Sequence, residues 1–143
     1  MNIEYKINNS TLKDISCHLH AVDNSFAIPL SQRLDIEEYA QKLYLKSNRL
    51  EAWNKNDLVG LIAYYHNEAE HRFHVSNVSV IKQFEGHGIA THLLMQTRKN
   101  AEHLNVNRID LLADVQVVNF YVRIGYFISK QCDDHSYEMS LTV

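Results

Sequence analysis

Apolar residues recur first at strand spacing and then at helical spacing along the first third of the chain. Residues 3–7 alternate as a short strand, whereas apolar positions over 12–22 and over 36–43 each fall on one helical face. Thr11 and Asp35 precede these two stretches, where a side-chain oxygen can cap the first free N–H groups of a helix. The pattern therefore predicts a strand followed by two amphipathic helices.

The middle of the chain has the pattern of strands joined by tight turns. Residues 49–53 and 58–65 are strand-like, and the turn formers at 54–57 between them predict a hairpin. In the next strand the apolar alternation holds as far as Val75 and resumes at Val78, so its phase slips by one residue. Such a slip predicts an inserted bulge, which splays neighbouring strands.

A pair of glycines follows this strand and precedes an amphipathic helix. Gly86 and Gly88 can adopt backbone conformations that other residues resist, so successive N–H groups can turn towards one ligand. The helix that begins near Ile89 adds its own free N–H groups and the positive end of its dipole. The segment therefore predicts a cradle for an anion, with a phosphate-bearing ligand as the first hypothesis.

Two common phosphate-binding motifs do not fit these glycines. A P-loop requires Lys and then Ser or Thr after its last glycine, whereas Gly88 is followed by Ile89 and Ala90. A dinucleotide fingerprint requires a third glycine at the position of Thr91 and a first βαβ unit near the start of the chain. A pyrophosphate held by backbone N–H groups alone is the interpretation that remains.

Two later segments carry a resemblance to a known family. A strand-like run at 108–113 leads into 114–126, which contains Asn-Phe-Tyr-Val-Arg-Ile-Gly-Tyr, and the chain closes on a strand-like 137–143. Together with the glycine loop, this order resembles the GNAT superfamily of acetyl-CoA-dependent N-acetyltransferases, most strongly over residues 75–126. The resemblance implies an α/β fold: a central, mixed, mostly antiparallel seven-stranded sheet, splayed between strands 4 and 5 and flanked by about four helices. A chain of 143 residues with one proline favours a single domain over residues 1–143.

The resemblance implies acetyl-CoA as the cofactor, with its pyrophosphate at the glycine loop. The family pattern Arg/Gln-x-x-Gly-x-Gly/Ala places Glu85, Gly88 and Ala90 at its three fixed positions, or it begins two residues earlier at Gln83. We prefer the first placement because it keeps the spacing to the apolar face of the following helix. The coenzyme-contact residues implied are Val78, Ser79, Val80, Glu85, Gly86, His87, Gly88, Ile89, Ala90, Thr91, Asp114, Phe120 and Tyr121. The chain departs from the family at Glu85, where a basic or amide residue is usual, and at Asp114, where many members have Asn.

Two residues are candidates for catalysis. Tyr121 matches the family's tyrosine beside the thioester sulfur, which implies a phenol that protonates the leaving thiolate. A backbone N–H at Asn77 or Val78, near the predicted bulge, is implied as the donor to the thioester carbonyl oxygen. His74 lies eleven residues before Glu85, where some family members place a catalytic glutamate, and it is the candidate base. The alternatives stay open: Tyr121 as a core aromatic residue, and His74 as an exposed strand residue.

The acceptor pocket is expected where the loop between the first two helices faces the third strand. An arginine in this lining suits an amine that also carries a carboxylate or phosphate, since guanidinium binds such groups through paired hydrogen bonds. The acceptor is therefore a small-molecule or peptide amine, and ordinary packing is the alternative. The residues expected to contact the acceptor are Phe26, Ser31, Arg33, Tyr64, His66 and Asn77.

Composition restricts the partners. The net charge of -3, without a basic stripe, argues against nucleic acid, and the longest apolar run, 58–65, is too short to cross a bilayer. The start of the chain lacks an apolar signal core, which predicts a cytoplasmic protein with Cys17 and Cys132 as free thiols. The histidine clusters have no third and fourth ligand at a recognised spacing, so no metal site is predicted. The sequence leaves open whether the protein forms a homodimer.

Three classes of function follow from the sequence. The first is an N-acetyltransferase that moves an acetyl group directly from acetyl-CoA to a primary amine in a ternary complex. The second is a coenzyme A binding module with weak or no catalysis, and the third is an interaction domain that keeps only the fold. Binding of acetyl-CoA separates the third class from the others, and thiol release with amines separates the first from the second.

Overall fold

The computed structural model describes residues 2–143, and the strands and helices that the sequence pattern predicts follow one another in the expected order. The capping residues predicted for the first two helices are confirmed, because Thr11 accepts a hydrogen bond from the Asp14 N–H and Asp35 accepts one from the Glu38 N–H. The elements are β1 (Glu4–Ile7), α1 (Leu12–Val22), α2 (Ile36–Lys46), β2 (Asn48–Asn54), β3 (Asp57–Asn67), β4 (Arg72–Val80), α3 (Ile89–His103), β5 (Arg108–Asp114), α4 (Val118–Arg123), β6 (Phe127–Gln131) and β7 (Ser136–Thr142).

All seven strands form one sheet in the order β1-β2-β3-β4-β5-β7-β6. Every neighbouring pair is antiparallel except β4 and β5, which run parallel. The predicted mixed, mostly antiparallel seven-stranded sheet is therefore confirmed, and four α-helices flank it within residues 2–143.

The predicted bulge lies in the middle of β4 and is confirmed by the strand register. Val75 pairs with Tyr64 of β3, whereas Asn77 pairs with the preceding residue Ala63, so Ser76 is the inserted residue. The parallel pairing of β4 with β5 also ends at Val75. Beyond this point β4 has no strand partner on its β5 side, and the two strands diverge.

Two separate cores cover the two faces of the sheet. On one face, α1 and α2 pack on Leu61 and Ala63 of β3. On the other face, the larger cluster includes Phe73, Ile109 and residues of α3 and α4. Gly60 allows α3 to approach closely, because a Cβ at this position would lie 2.8 Å from the Ile89 side chain. The start of α3 is thereby held beside the middle of the sheet.

One strand has no counterpart in the sequence pattern. All five residues of β6, Phe127–Gln131, are exposed, so they show no alternation of buried and exposed positions. The strand forms through its backbone pairing with β7 at the edge of the sheet. Hydrophobic periodicity cannot predict a strand of this kind, because neither face of the strand is buried.

Candidate active site

A cavity of about 700 Å³ opens where β4 and β5 diverge. We call the part at residues 84–91, all of which except His87 line the cavity, the glycine end. The part formed by residues 25–34, between α1 and α2, is called the loop end. Phe120 and Tyr121 of α4 and the final residues of β5 complete the wall between the two ends. The cavity volume is in the range of pockets that hold small molecules and cofactors.

The glycine end presents free backbone N–H groups. Gly86 and Gly88 have φ angles of 79° and 80°, in the left-handed region that other residues adopt at a cost. Gly88 is the N-cap of α3, and no side chain caps the first N–H groups of this 15-residue helix. A Cβ at either glycine would meet no atom within 4 Å, so the space beside the loop is open to a ligand. The conformation and the uncapped helix together suit a bound anion.

Glu85 is exposed at the edge of the glycine end. It carries a negative charge beside the N–H groups that would meet a phosphate. His87 lies between the two glycines, is exposed, and does not line the cavity. The structure therefore leaves anion binding at this end to backbone N–H groups rather than to a cationic side chain.

Tyr121 lies in the wall between the two ends and is 5% exposed. Its ring packs edge-on against Phe120 and Tyr126, with centroid distances of 5.2 and 5.5 Å. Burial, and then the nearby Tyr126 and Asp114, raise the pKa of the Tyr121 phenol, so the phenol stays protonated at neutral pH. No group within residues 2–143 forms a hydrogen bond with its hydroxyl, which leaves the proton available to a ligand.

A clamp from α2 holds the bulge in β4. The Tyr39 hydroxyl donates to the Ser76 carbonyl oxygen at 3.0 Å and lies 2.6 Å from the Ser76 hydroxyl. Burial raises the pKa of Tyr39 to about 12, so this donor also keeps its proton. Both residues line the cavity. The sequence assigned Tyr39 only to the buried stripe of α2, and no local pattern links it to Ser76, 37 residues later.

A second long-range contact crosses the cavity. The Asp114 carboxylate, at the end of β5, accepts a hydrogen bond of 2.9 Å from the backbone N–H of Ala27 in the loop end. These residues are 87 positions apart. Asp114 is one of the two departures from the family pattern, and in this structure its side chain ties the loop end to the far half of the sheet.

The structure brings most of the predicted site residues together in the cavity. Among the predicted coenzyme contacts, all except His87 line it. The predicted residues that line the cavity are Phe26, Arg33, Asn77, Val78, Ser79, Val80, Glu85, Gly86, Gly88, Ile89, Ala90, Thr91, Asp114, Phe120 and Tyr121.

Four other predicted residues lie outside the cavity. His74 pairs with Tyr65 of β3 and with Asp110 of β5, and its side chain is exposed. Partial desolvation of the ring and the nearby Arg72 lower the pKa of His74. The remaining three make other contacts: the Tyr64 hydroxyl accepts from Asn100, His66 packs edge-on against Phe73, and Ser31 donates to Asp23.

Two negative observations apply to residues 2–143. No helix in this range is long and apolar enough to span a bilayer. No group of three or more His, Cys, Asp or Glu side chains in the same range is arranged to hold a metal ion.

Comparison with known proteins agrees with this geometry. The family model described as "Acetyltransferase (GNAT) family" matches residues 17–126, and no curated protein sequence matches the chain. The PaiA N-acetyltransferase of Thermoplasma acidophilum, solved with coenzyme A, has a TM-score of 0.74 and 14% identity over 100% of both chains.

Two further solved structures carry a related ligand. An aminoglycoside 6'-N-acetyltransferase complexed with coenzyme A has a TM-score of 0.79 and 15% identity over 99% of this chain and 97% of that one. A protein of Bacillus anthracis described as a "putative streptothricin acetyltransferase", in complex with acetyl coenzyme A, has a TM-score of 0.59 and 19% identity over 68% of this chain and 63% of that one. The predicted cofactor, acetyl-CoA, agrees with the ligands of these structures.

Proposed function

Because the chain belongs to the acetyltransferase (GNAT) family, we propose that it is an acetyl-CoA-dependent N-acetyltransferase of a primary amine. One observation carries the proposal: the uncapped start of α3 after Gly88 and the protonated Tyr121 phenol line the same cavity. The first feature suits a pyrophosphate, and the second suits a leaving thiolate that needs a proton. A coenzyme thioester uses both features at one site.

The coenzyme fits the glycine end. Free N–H groups from Gly86 to Thr91 would hold the pyrophosphate, and the open edge of β4 from Ser76 to Val80 offers backbone groups to an extended arm. When bound, acetyl-CoA supplies an acetyl group activated as a thioester. The backbone N–H of Asn77 or Val78 is the donor we assign to the acetyl carbonyl oxygen.

Proton transfer is divided between the protein and solvent. Tyr121 gives its proton to the departing sulfur, because its raised pKa keeps the phenol protonated until the thiolate forms. His74, the base expected from the sequence, lies outside the cavity. We therefore assign the removal of the amine proton to water in the cavity rather than to this histidine.

The loop end favours an acceptor with an anionic group. The Arg33 guanidinium lies over the Phe26 ring at 5.6 Å, and among residues 2–143 no carboxylate pairs with it. An unpaired guanidinium in a ligand cavity suits a carboxylate or phosphate. An aminoglycoside, which carries several ammonium groups, would place a further positive charge beside Arg33. We therefore propose an amine that also carries a carboxylate or phosphate, either as a small molecule or in a peptide.

A second candidate function is coenzyme A binding without turnover. The position of His74 outside the cavity favours it, because the cavity then lacks the side-chain base that the sequence predicts. Turnover would be weakened while the cavity stays intact. The two functions differ in one measurable respect, which is the release of free thiol in the presence of an amine.

Calorimetry with acetyl-CoA, followed by thiol release with a panel of amines, tests both candidates. The panel compares amino acids and phosphorylated amines with polyamines and aminoglycosides at matched concentrations. We expect binding of acetyl-CoA and the fastest thiol release with the anionic amines. Binding without release for any amine would support the second candidate, and absence of binding would contradict both.

A further inference from the structure

A line of buried polar side chains runs from α1 through β4 to the cavity. The His18 ring contacts β3 and β4. Its Nδ1 lies 2.8 Å from the Leu58 carbonyl oxygen, and its Nε2 lies 2.8 Å from Ser79 Oγ. Asn77 Nδ2 lies 2.9 Å from the same Ser79 oxygen and 3.3 Å from the Leu61 carbonyl oxygen. His18, Ser79 and Asn77 are 2%, 7% and 5% exposed. Ser79 and Asn77 line the cavity, whereas His18 lies outside it.

Two carbonyl oxygens determine the direction of every hydrogen bond in this line. The Leu58 oxygen can only accept, so His18 carries its proton on Nδ1, and Nε2 is an acceptor. Ser79 therefore donates its hydroxyl proton to Nε2, and its oxygen accepts from Asn77. The Leu61 oxygen likewise requires the Asn77 amide nitrogen rather than its oxygen.

The line leaves one polar atom for a ligand. Both N–H groups of the Asn77 amide are used within the protein, whereas its Oδ1 has no hydrogen-bond partner within residues 2–143. Asn77 lines the cavity, and its Oδ1 is not among the fully buried polar atoms. The hydroxyls of Tyr65 and Tyr126 also have no partner within residues 2–143, but they are fully buried. An amide oxygen on a buried residue is best satisfied by an N–H donor.

The hydrogen bonds among His18, Ser79 and Asn77 keep the same directions across the neutral pH range. Burial lowers the pKa of His18 to about 4, although the contact with Leu58 acts in the opposite sense. The ring is therefore neutral at the pH at which acetyl transfer would take place. It holds Ser79 in the same way whether or not other groups in the cavity are titrated.

We propose that His18 is a positioning residue, which acts through Ser79 to hold Asn77 Oδ1 towards the cavity as the acceptor for a ligand N–H. The donor is an amide N–H of acetyl-CoA or an N–H of the acceptor amine. This inference rests on the proposed acetyltransferase function for the identity of the ligand. The orientation of the Asn77 amide does not depend on that function.

A spectroscopic test examines the orientation in the protein without ligand. Long-range nitrogen–proton NMR spectra of the histidine rings should show His18 protonated on Nδ1 only, without change between pH 8 and pH 5. The Asn77 side-chain N–H₂ protons should exchange slowly with solvent. A ring protonated on Nε2, or an Asn77 amide that exchanges as fast as an exposed one, would overturn the proposal.

A binding test uses variants of the line and a matched control. His18→Phe keeps an aromatic ring but removes both hydrogen bonds, and Ser79→Ala breaks the link to Asn77. Val22→Ala is the control, since Val22 is a fully buried residue of α1 outside the line. The Kd of acetyl-CoA is measured by calorimetry, the KM of the best amine by thiol release, and the Tm of every variant by thermal unfolding.

We expect His18→Phe and Ser79→Ala each to raise one of these two constants roughly tenfold, the worth of about one hydrogen bond. The double variant should lose no more than either single variant, because both changes interrupt the same line. A rise in Kd would identify the donor as an N–H of acetyl-CoA, and a rise in KM alone would identify it as the amine. Val22→Ala should lower only Tm.

Three results would overturn the inference, and they differ from a failure of the proposed function. These are unchanged Kd and KM in His18→Phe, an equal effect of Val22→Ala, or fully additive losses in the double variant. If the parent protein bound no acetyl-CoA at all, the proposed function and the ligand part of this inference would both be wrong. The NMR spectra would still decide how the Asn77 amide is oriented.

Discussion

The two ends of the cavity are built from different kinds of contact. The glycine end consists of consecutive residues, 84–91, whose backbone angles and helix start produce the site locally. The loop end is held by contacts between distant segments, such as the bond between the Asp114 carboxylate and the Ala27 N–H across 87 residues. The difference indicates that the glycine end is robust to changes elsewhere, whereas the loop end depends on how the halves of the molecule meet.

The largest expected effect lies at the glycine end. Gly88→Asp places a negative charge where backbone N–H groups would meet a pyrophosphate, so the Kd of acetyl-CoA should rise by roughly 100-fold or more. Gly88→Asn is the matched control, because Asn tolerates the positive φ angle and adds similar bulk without charge. Its Kd, also measured by calorimetry, should rise far less. Equal losses in both variants would show that shape rather than charge defines this end.

The next effect concerns the wall between the two ends. Tyr121→Phe keeps the ring packing but removes the proton, so kcat should fall roughly 10- to 1000-fold while the Kd of acetyl-CoA changes little. Tyr126→Phe is the control, since its buried hydroxyl has no hydrogen-bond partner among residues 2–143 and its ring packs against Tyr121. That variant should keep the parental kcat. Unchanged turnover in Tyr121→Phe would make Tyr121 a packing residue and leave the acid unassigned.

A smaller effect should separate the loop end from the glycine end. Asp114→Ala removes the acceptor for the Ala27 N–H, and we expect the KM of the amine to rise several-fold, about the worth of one hydrogen bond. Asp114→Asn keeps a carbonyl oxygen at the same place and should recover most of the loss. A rise in the Kd of acetyl-CoA instead of the KM of the amine would contradict this distinction between the two ends, because Asp114 would then act on coenzyme binding.

The smallest effect sharpens the electrostatics of the glycine end. Glu85→Arg replaces an exposed negative charge beside the anion cradle with a positive one. The Kd of acetyl-CoA should fall by roughly threefold to fivefold at low salt, and the gain should shrink as salt screens the charge. Titrations at two salt concentrations measure both quantities. An affinity that is the same at both would place Glu85 too far from the pyrophosphate to matter.

The sequence predicted those parts of the site that depend on neighbouring residues. The phase slip between Val75 and Val78 predicted the bulge, and the glycine pair predicted the start of α3. Contacts between distant residues left no local signal. The Tyr39 clamp on Ser76 and the line through His18 therefore escaped prediction.

The candidate base illustrates the same limit. His74 was chosen by counting residues along the chain, but the part of β4 that lines the cavity begins one residue later, at Val75, and contains the bulge at Ser76. An inserted residue changes the face on which every preceding side chain lies relative to those that follow. Spacing alone cannot place a strand residue across such a point, and the three-dimensional register is required.

The parallel pairing of β4 and β5 has a consequence for the motion of the molecule. Only the residues from Arg72 to Val75 join the two strands, at one end of the cavity. Of the backbone N–H groups from 76 to 80, those that point away from β3 should therefore exchange their protons with deuterated solvent faster than the paired N–H groups of β3. A coenzyme arm lying along this edge would bridge both half-sheets in place of the missing strand pairs. Slower exchange of the N–H groups on both sides of the cavity, measured with ligand bound, would then show that the ligand joins the two halves of the protein.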